Sequence, residues 1–162
     1  MVEQSCVLAT IYDGWENYQR LLTQAIAPLS EAQLALGAAP HLLPIGVLAA
    51  HIIAARVYWM HDMLSEGSAE IAPLQKWDDP GEPARSAAEL VGGLETTWRL
   101  VQDPLARWTP EDLAQTVEVV RRGRERTFTR QWVIWHLIEH DLHHGGEISF
   151  SLGIHNIAAL SL

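Results

Sequence analysis

Four stretches of the chain repeat apolar residues at three- and four-residue steps, and that spacing limits the fold more than any other feature. Ile11, Trp15, Tyr18, Leu22 and Ile26 recur this way and predict a first helix from about Val7 to Ala27, closed by Pro28. Ser30-Glu31 opens a connection through Gly37 and Pro40. A second helix is expected from Pro44, a good first-turn residue, to about Leu64 before Gly67. Ser86 with Glu89 forms a capping box for a third helix, which carries Leu90, Leu94, Trp98 and Val101 on one face. Pro104 should kink or end it. Thr109-Pro110-Glu111-Asp112 then starts a short helical turn, and residues 116–128 alternate as a small hairpin. Thr129 caps a last helix that runs to about Leu152 and stops at Gly153. Residues 65–85, rich in Pro, Gly and acid, read as a long loop with Trp77 as a hydrophobic anchor. The sum is an all-α protein, a four-helix bundle with a small extended hairpin before its last helix, in a single domain spanning 1–162.

A chain of this length buries about two-thirds of the surface its unfolded form exposes, so it needs no disulfide or structural metal to fold. Seven Trp against two Phe suggest a core built around a few very large side chains. Cys6 is the single cysteine, fits a reducing cytosol, and reads as a small half-buried hydrophobe rather than a catalytic thiol. The N-terminus has no basic run ahead of a hydrophobic stretch, so no signal peptide is expected. The apolar run from Leu42 to Ala55 contains His51 and is too short to span a bilayer. A net charge of -9 argues against nucleic-acid partners, which need a positive surface. The expectation is a soluble, cytoplasmic protein.

The chemistry gathers in "HLIEHDLHHGGEIS", residues 136 to 149. On a helix, His136, His140, His143, His144 and Glu147 form one stripe about 100° wide. The rest of the circumference is mostly apolar, so part of the stripe should face protein. A solvated face is the plain alternative, but such faces are usually built from Lys, Glu and Arg, and this one has no Lys or Arg. His at i and i+4 places two imidazoles one turn apart, where both can bind one metal. His136/His140 and His140/His144 both satisfy that spacing. His51, in an apolar helix, is the candidate third ligand, with Tyr58 or Asp62 available on its face to hold the ring. His41, His61 and His155 read as surface residues. A di-iron bundle needs Glu-x-x-His, which the chain lacks. A zinc protease needs H-E-x-x-H, and Asp141 stands where its Glu belongs. A three-His mononuclear site fits best, for Zn, Ni or Fe.

"GVLAAHIIAARVYWM" followed by "WHLIEHDLHHGGEIS" resembles the DinB-like superfamily of metal-binding four-helix bundles, and the similarity extends over most of the chain, including "LSEAQL". The resemblance implies a divalent metal bound by His51, His140 and His144, with His136 a neighbour. It also implies a low-molecular-weight thiol such as bacillithiol or mycothiol as co-substrate, and a homodimer. Family members commonly carry Arg-Gly-Gln after the second His of the pair, where this chain has Gly145-Gly146-Glu147. The expected activity is that of a metal-dependent thiol S-transferase or related hydrolase. The alternative is a non-catalytic, stress-related or small-molecule-binding bundle that contains a metal. "RRGRER" and Arg130 hold five of the eleven Lys and Arg. They read either as a solvated turn or as an anion clamp, in which Arg122 and Arg124 grip a carboxylated thiol or acidic substrate. No catalytic residue is singled out.

Overall fold

The computed structural model describes residues 5–121 and 123–161, with side chains from Tyr12 onward except that of Arg121. Four long helices dominate: α1 (Ser5–Ile26), α3 (Ile45–Val57), α4 (Ala87–Arg107) and α6 (Arg130–Ile154). Two short ones, α2 (Glu31–Leu34) and α5 (Pro110–Ala114), lie in the connections. The architecture is the expected bundle. Helix α3 packs against α4 and α6, and α1 packs against α4. The periodic residues of α1 do what their spacing predicts, with Trp15, Tyr18, Leu22 and Ile26 buried. Leu22, Ile53, Leu94 and Ile148 meet in one half of the core; Trp15, Met60, Val101 and Leu137 meet in the other.

Local chemistry sets the helix ends. Ser30 and Gln33, Ser86 and Glu89, and Thr109 and Asp112 each form a reciprocal capping box, and Thr129 Oγ1 accepts from the Trp132 amide at the start of α6. The hairpin pairs β1 (Thr116–Arg121) with β2 (Arg124–Thr129) antiparallel, from Thr116↔Thr129 to Arg121↔Arg124. Gly123, with φ 72°, supplies the left-handed residue of its turn.

Three boundaries differ from expectation. Helix α3 continues as a π-helical turn, Tyr58–Met63, and the chain then reverses through Ser65 at φ 57°. Pro104 sits inside α4, which runs one residue short of Trp108. The missing proline N–H removes one bond of a last turn that was about to end. Helix α6 passes through Gly153, and the left-handed residue that follows it is Asn156, φ 57°.

The segment 65–85 is not structureless. Ala69–Lys76 form a 3-10 helix packed on α3, and Leu74 and Trp77 cover the core. Trp77 is the anchor expected of it, seated against Gly93 of α4 and Ile53 of α3.

Candidate metal centre

Helix α3 presents His51 and α6 presents His140 and His144. Their rings converge, with centroids 4.8 Å apart for His51 and His140, 4.8 Å for His51 and His144, and 4.4 Å for His140 and His144. One nitrogen from each lies within 4.8 Å of the others. His51 Nε2 and His140 Nε2 are 3.2 Å apart. Two nitrogens bound to one cation at about 2.1 Å stand roughly 3.0–3.4 Å apart, so this pair already has the spacing of neighbouring ligands.

Carboxylates fix two of the three rings. His51 Nδ1 lies 2.6 Å from Asp78 Oδ2, and His144 Nδ1 lies 2.7 Å from Glu147 Oε2. A carboxylate beside Nδ1 accepts a hydrogen bond from the N–H there, which keeps the proton on Nδ1 and leaves the Nε2 lone pair turned inward. His140 Nδ1 is buried with no hydrogen-bond partner among the described residues. Burial, reinforced by the neighbouring His144, His51 and His136 rings and by Arg56, pushes the His140 pKa down to about 3. Burial also lowers that of His144, opposed by its bond to Glu147. His140 is therefore neutral near pH 7, as ligation requires, and the shift of His144 runs the same way. Crowded inward lone pairs with one buried orphan nitrogen fit a nitrogen-preferring divalent cation better than they fit one another.

The tether of His51 is a correction. Tyr58 and Asp62 on its own helix do not hold it; Asp78, 27 residues on, does. The signal in the sequence was its place directly after the anchor Trp77.

The other histidines divide. His136 is stacked on Trp132 (5.0 Å, 15°), meets Trp59 edge-on, and bonds Glu139 through Nδ1 at 2.9 Å. It is a neighbour of the cluster, outside it. His143 is exposed; with His144 and Glu147 it forms a second group of closely spaced donors at the rim. His61 is half-buried rather than a plain surface residue, its Nδ1 2.9 Å from the Glu66 carbonyl.

Asp141 serves none of this chemistry. It is fully buried in the core one residue along α6 from His140, where its carboxylate accepts from Arg56 Nη2 (2.6 Å) and Trp15 Nε1 (2.8 Å). The likeness of "HDLHH" to a protease motif is accidental. Gly145 has a packing reason: a methyl group there would run into the Tyr18 hydroxyl. Tyr18 thus fills the space into which a side chain at 145, such as the arginine of the Arg-Gly-Gln pattern, would grow. Glu147, the other departure, is the group that holds His144.

Arg124 is exposed at the start of β2, and Arg122 lies outside the described residues. Arg124 precedes Phe128, which stacks on Trp132, by roughly 13 Å of extended chain. The outer face of α6 departs from the expected burial of its apolar residues: Trp135, Leu142, Phe150 and Ile154 are exposed.

A family model described as the DinB superfamily matches residues 15–148. A crystal structure of a DinB-like protein from Bacillus cereus ATCC 10987 is similar over 93% of this chain and 94% of that one, with a TM-score of 0.71 and 20% identity. No curated protein matches.

Proposed function

The chain belongs to the DinB superfamily, and on that premise we propose that His51, His140 and His144 hold one divalent cation (Zn, Ni or Fe) that serves thiol-dependent transfer or a related hydrolysis. The observation that carries this is the convergence of the three imidazoles, two of them with carboxylates on the outward nitrogen. Three protein donors are the count of catalytic sites, which keep a position for substrate; structural sites use four. Bound there, such a cation lowers the pKa of a thiol or water enough to ionise it near neutral pH.

The protein's own groups do the rest. Asp78 and Glu147 set the tautomers of His51 and His144 and hold the rings in place. His140, neutral because it is buried, offers its lone pair without first losing a proton. The Phe128–Trp132–His136 stack gives the organic part of a substrate an apolar flank beside the centre. Arg122 and Arg124 on the hairpin are the groups proposed to meet a carboxylated thiol or acidic substrate. A second copy of the chain is proposed to cover Trp135, Leu142, Phe150 and Ile154. Dilution of a Trp135→Glu, Phe150→Glu variant through sedimentation should then show a monomer where the wild type is a dimer. No helix among the described residues is long and apolar enough to cross a membrane; the cytoplasm is the proposed setting.

Cobalt substitution tests the thiol reading. Titrating the Co(II)-loaded protein with a small thiol should produce an intense near-ultraviolet thiolate-to-cobalt band. Visible cobalt bands that no thiol alters would point instead to a closed, non-catalytic metal bundle.

A further inference from the structure

The segment that carries Asp78 also closes a cavity beside the centre. It has a volume of about 350 Å³ and lies between α2, the first turns of α3 and residues 77–86. That is within the range of sites that enclose small organic ligands. Leu34, Val47, Ala50 and the Trp77 indole give it apolar walls. Glu31, Asp78, Asp79 and Glu82 place carboxylates around them.

Arg85 is the one basic residue lining the cavity, and it is engaged within the protein. It donates to Glu82 at 2.5 Å, and its guanidinium lies 4.8 Å over the Trp77 ring. Glu82 is thereby balanced. Asp78 is engaged too, its Oδ2 2.6 Å from His51 Nδ1. Glu31 and Asp79 therefore line an apolar chamber whose one cationic side chain, Arg85, is committed to Glu82 and Trp77. One sign of charge over apolar walls selects a ligand with the opposite charge on an apolar body. Inorganic cations match the charge and leave the walls wet. Val47 and Ala50 precede His51 on the same helix by one turn and by one residue, so a ligand here sits next to the imidazole cluster.

We propose that this cavity binds a small organic cation, a primary ammonium or amidinium group on an apolar body. Asp79 and Glu31 meet the charge, and Val47, Ala50 and Trp77 cover the body. The inference stands apart from the metal assignment, because none of its contacts uses a metal.

The test is a titration of the full chain, its metal content measured, with 2-phenylethylammonium, followed by nitrogen–proton NMR. Saturable shifts are expected at the Trp77 indole and at the amides of Val47, Ala50 and Asp79, with a Kd at or below about 1 mM. Glu31→Gln with Asp79→Asn should weaken binding at least about tenfold, and Val47→Trp, which fills the cavity from its rim, should abolish it. Shape-matched 3-phenylpropionate should not bind, and magnesium should not displace the amine at equal concentration. Equal binding of the anion, an unchanged Kd in the charge variant, or no saturable shift up to about 10 mM amine would overturn the proposal. His144→Gln separates it from the metal reading: that variant should lose the cation and keep the amine.

Discussion

Asp141→Ala should destabilise the fold by about 3–5 kcal/mol, the range for removing one partner of a buried ion pair. Arg56 and Asp141 are each about 1% exposed at their side chains. Asp141 accepts from Arg56 Nη2 at 2.6 Å, from Arg56 Nε at 3.2 Å and from Trp15 Nε1 at 2.8 Å. Arg56 donates onward to Gln19 Oε1 at 2.7 Å and to the Leu94 carbonyl at 3.3 Å. Truncating Asp141 leaves a guanidinium charge and an indole N–H in the core without their acceptor, and water cannot reach either. At roughly 2–4 °C per kcal/mol for a chain of this size, the melting temperature of the metal-free protein should fall by about 10 °C. Urea unfolding of Asp141→Ala and of the apolar pair Arg56→Met/Asp141→Leu separates the charge from the packing. The pair variant should recover most of the loss, because apolar groups of similar volume need no partners. It should still bind metal more weakly, since Arg56 lies five residues after His51 and Asp141 directly follows His140. The ion pair thus fixes the register of α3 on α6 that brings the two rings together. A loss below about 1 kcal/mol for Asp141→Ala would refute the reasoning.

Three further outcomes follow from the same geometry. Metal-free protein should lose stability as pH falls from about 6.5: unfolded His140 takes up a proton there, while the folded ring, with a pKa of about 3, does not. The slope is at most about 1.4 kcal/mol per pH unit from this ring, and His140→Gln should flatten the curve measured by urea unfolding between pH 6.5 and 4.5. Asp78→Asn and Glu147→Gln should each weaken metal binding about 10–100-fold in a competition titration while changing stability little, because each removes the carboxylate behind one ring. Gly145→Ala should cost about 1–3 kcal/mol, read by thermal melting, as the new methyl displaces the Tyr18 ring.

What could be read from the sequence was what local periodicity and local caps decide. Trp15, Tyr18, Leu22 and Ile26 fall on the buried face of α1, and Ser86, Thr109 and Thr129 cap where their spacing places them. The i, i+4 histidines on α6 needed only helical geometry to be paired; choosing the His140/His144 pair needed the family resemblance. The tertiary partners were hidden. Asp78 reaches His51 across 27 residues and a 3-10 helix that no periodic pattern announced. Of Arg56 and Asp141, 85 residues apart, only Arg56 left a usable trace: it is a lone charge among apolar neighbours, and such charges are buried only with a partner. The exposed strip on α6 left none, because in sequence its apolar residues look the same as those the chain buries.

The most direct test of the centre is elemental analysis of tag-free protein, wild type beside His140→Gln, after loading with divalent metal and removal of the excess. About one equivalent of a single metal in the wild type and almost none in the variant is the predicted result. Wild-type protein without stoichiometric metal, or a variant that retains it, would contradict the assignment of His51, His140 and His144 as ligands.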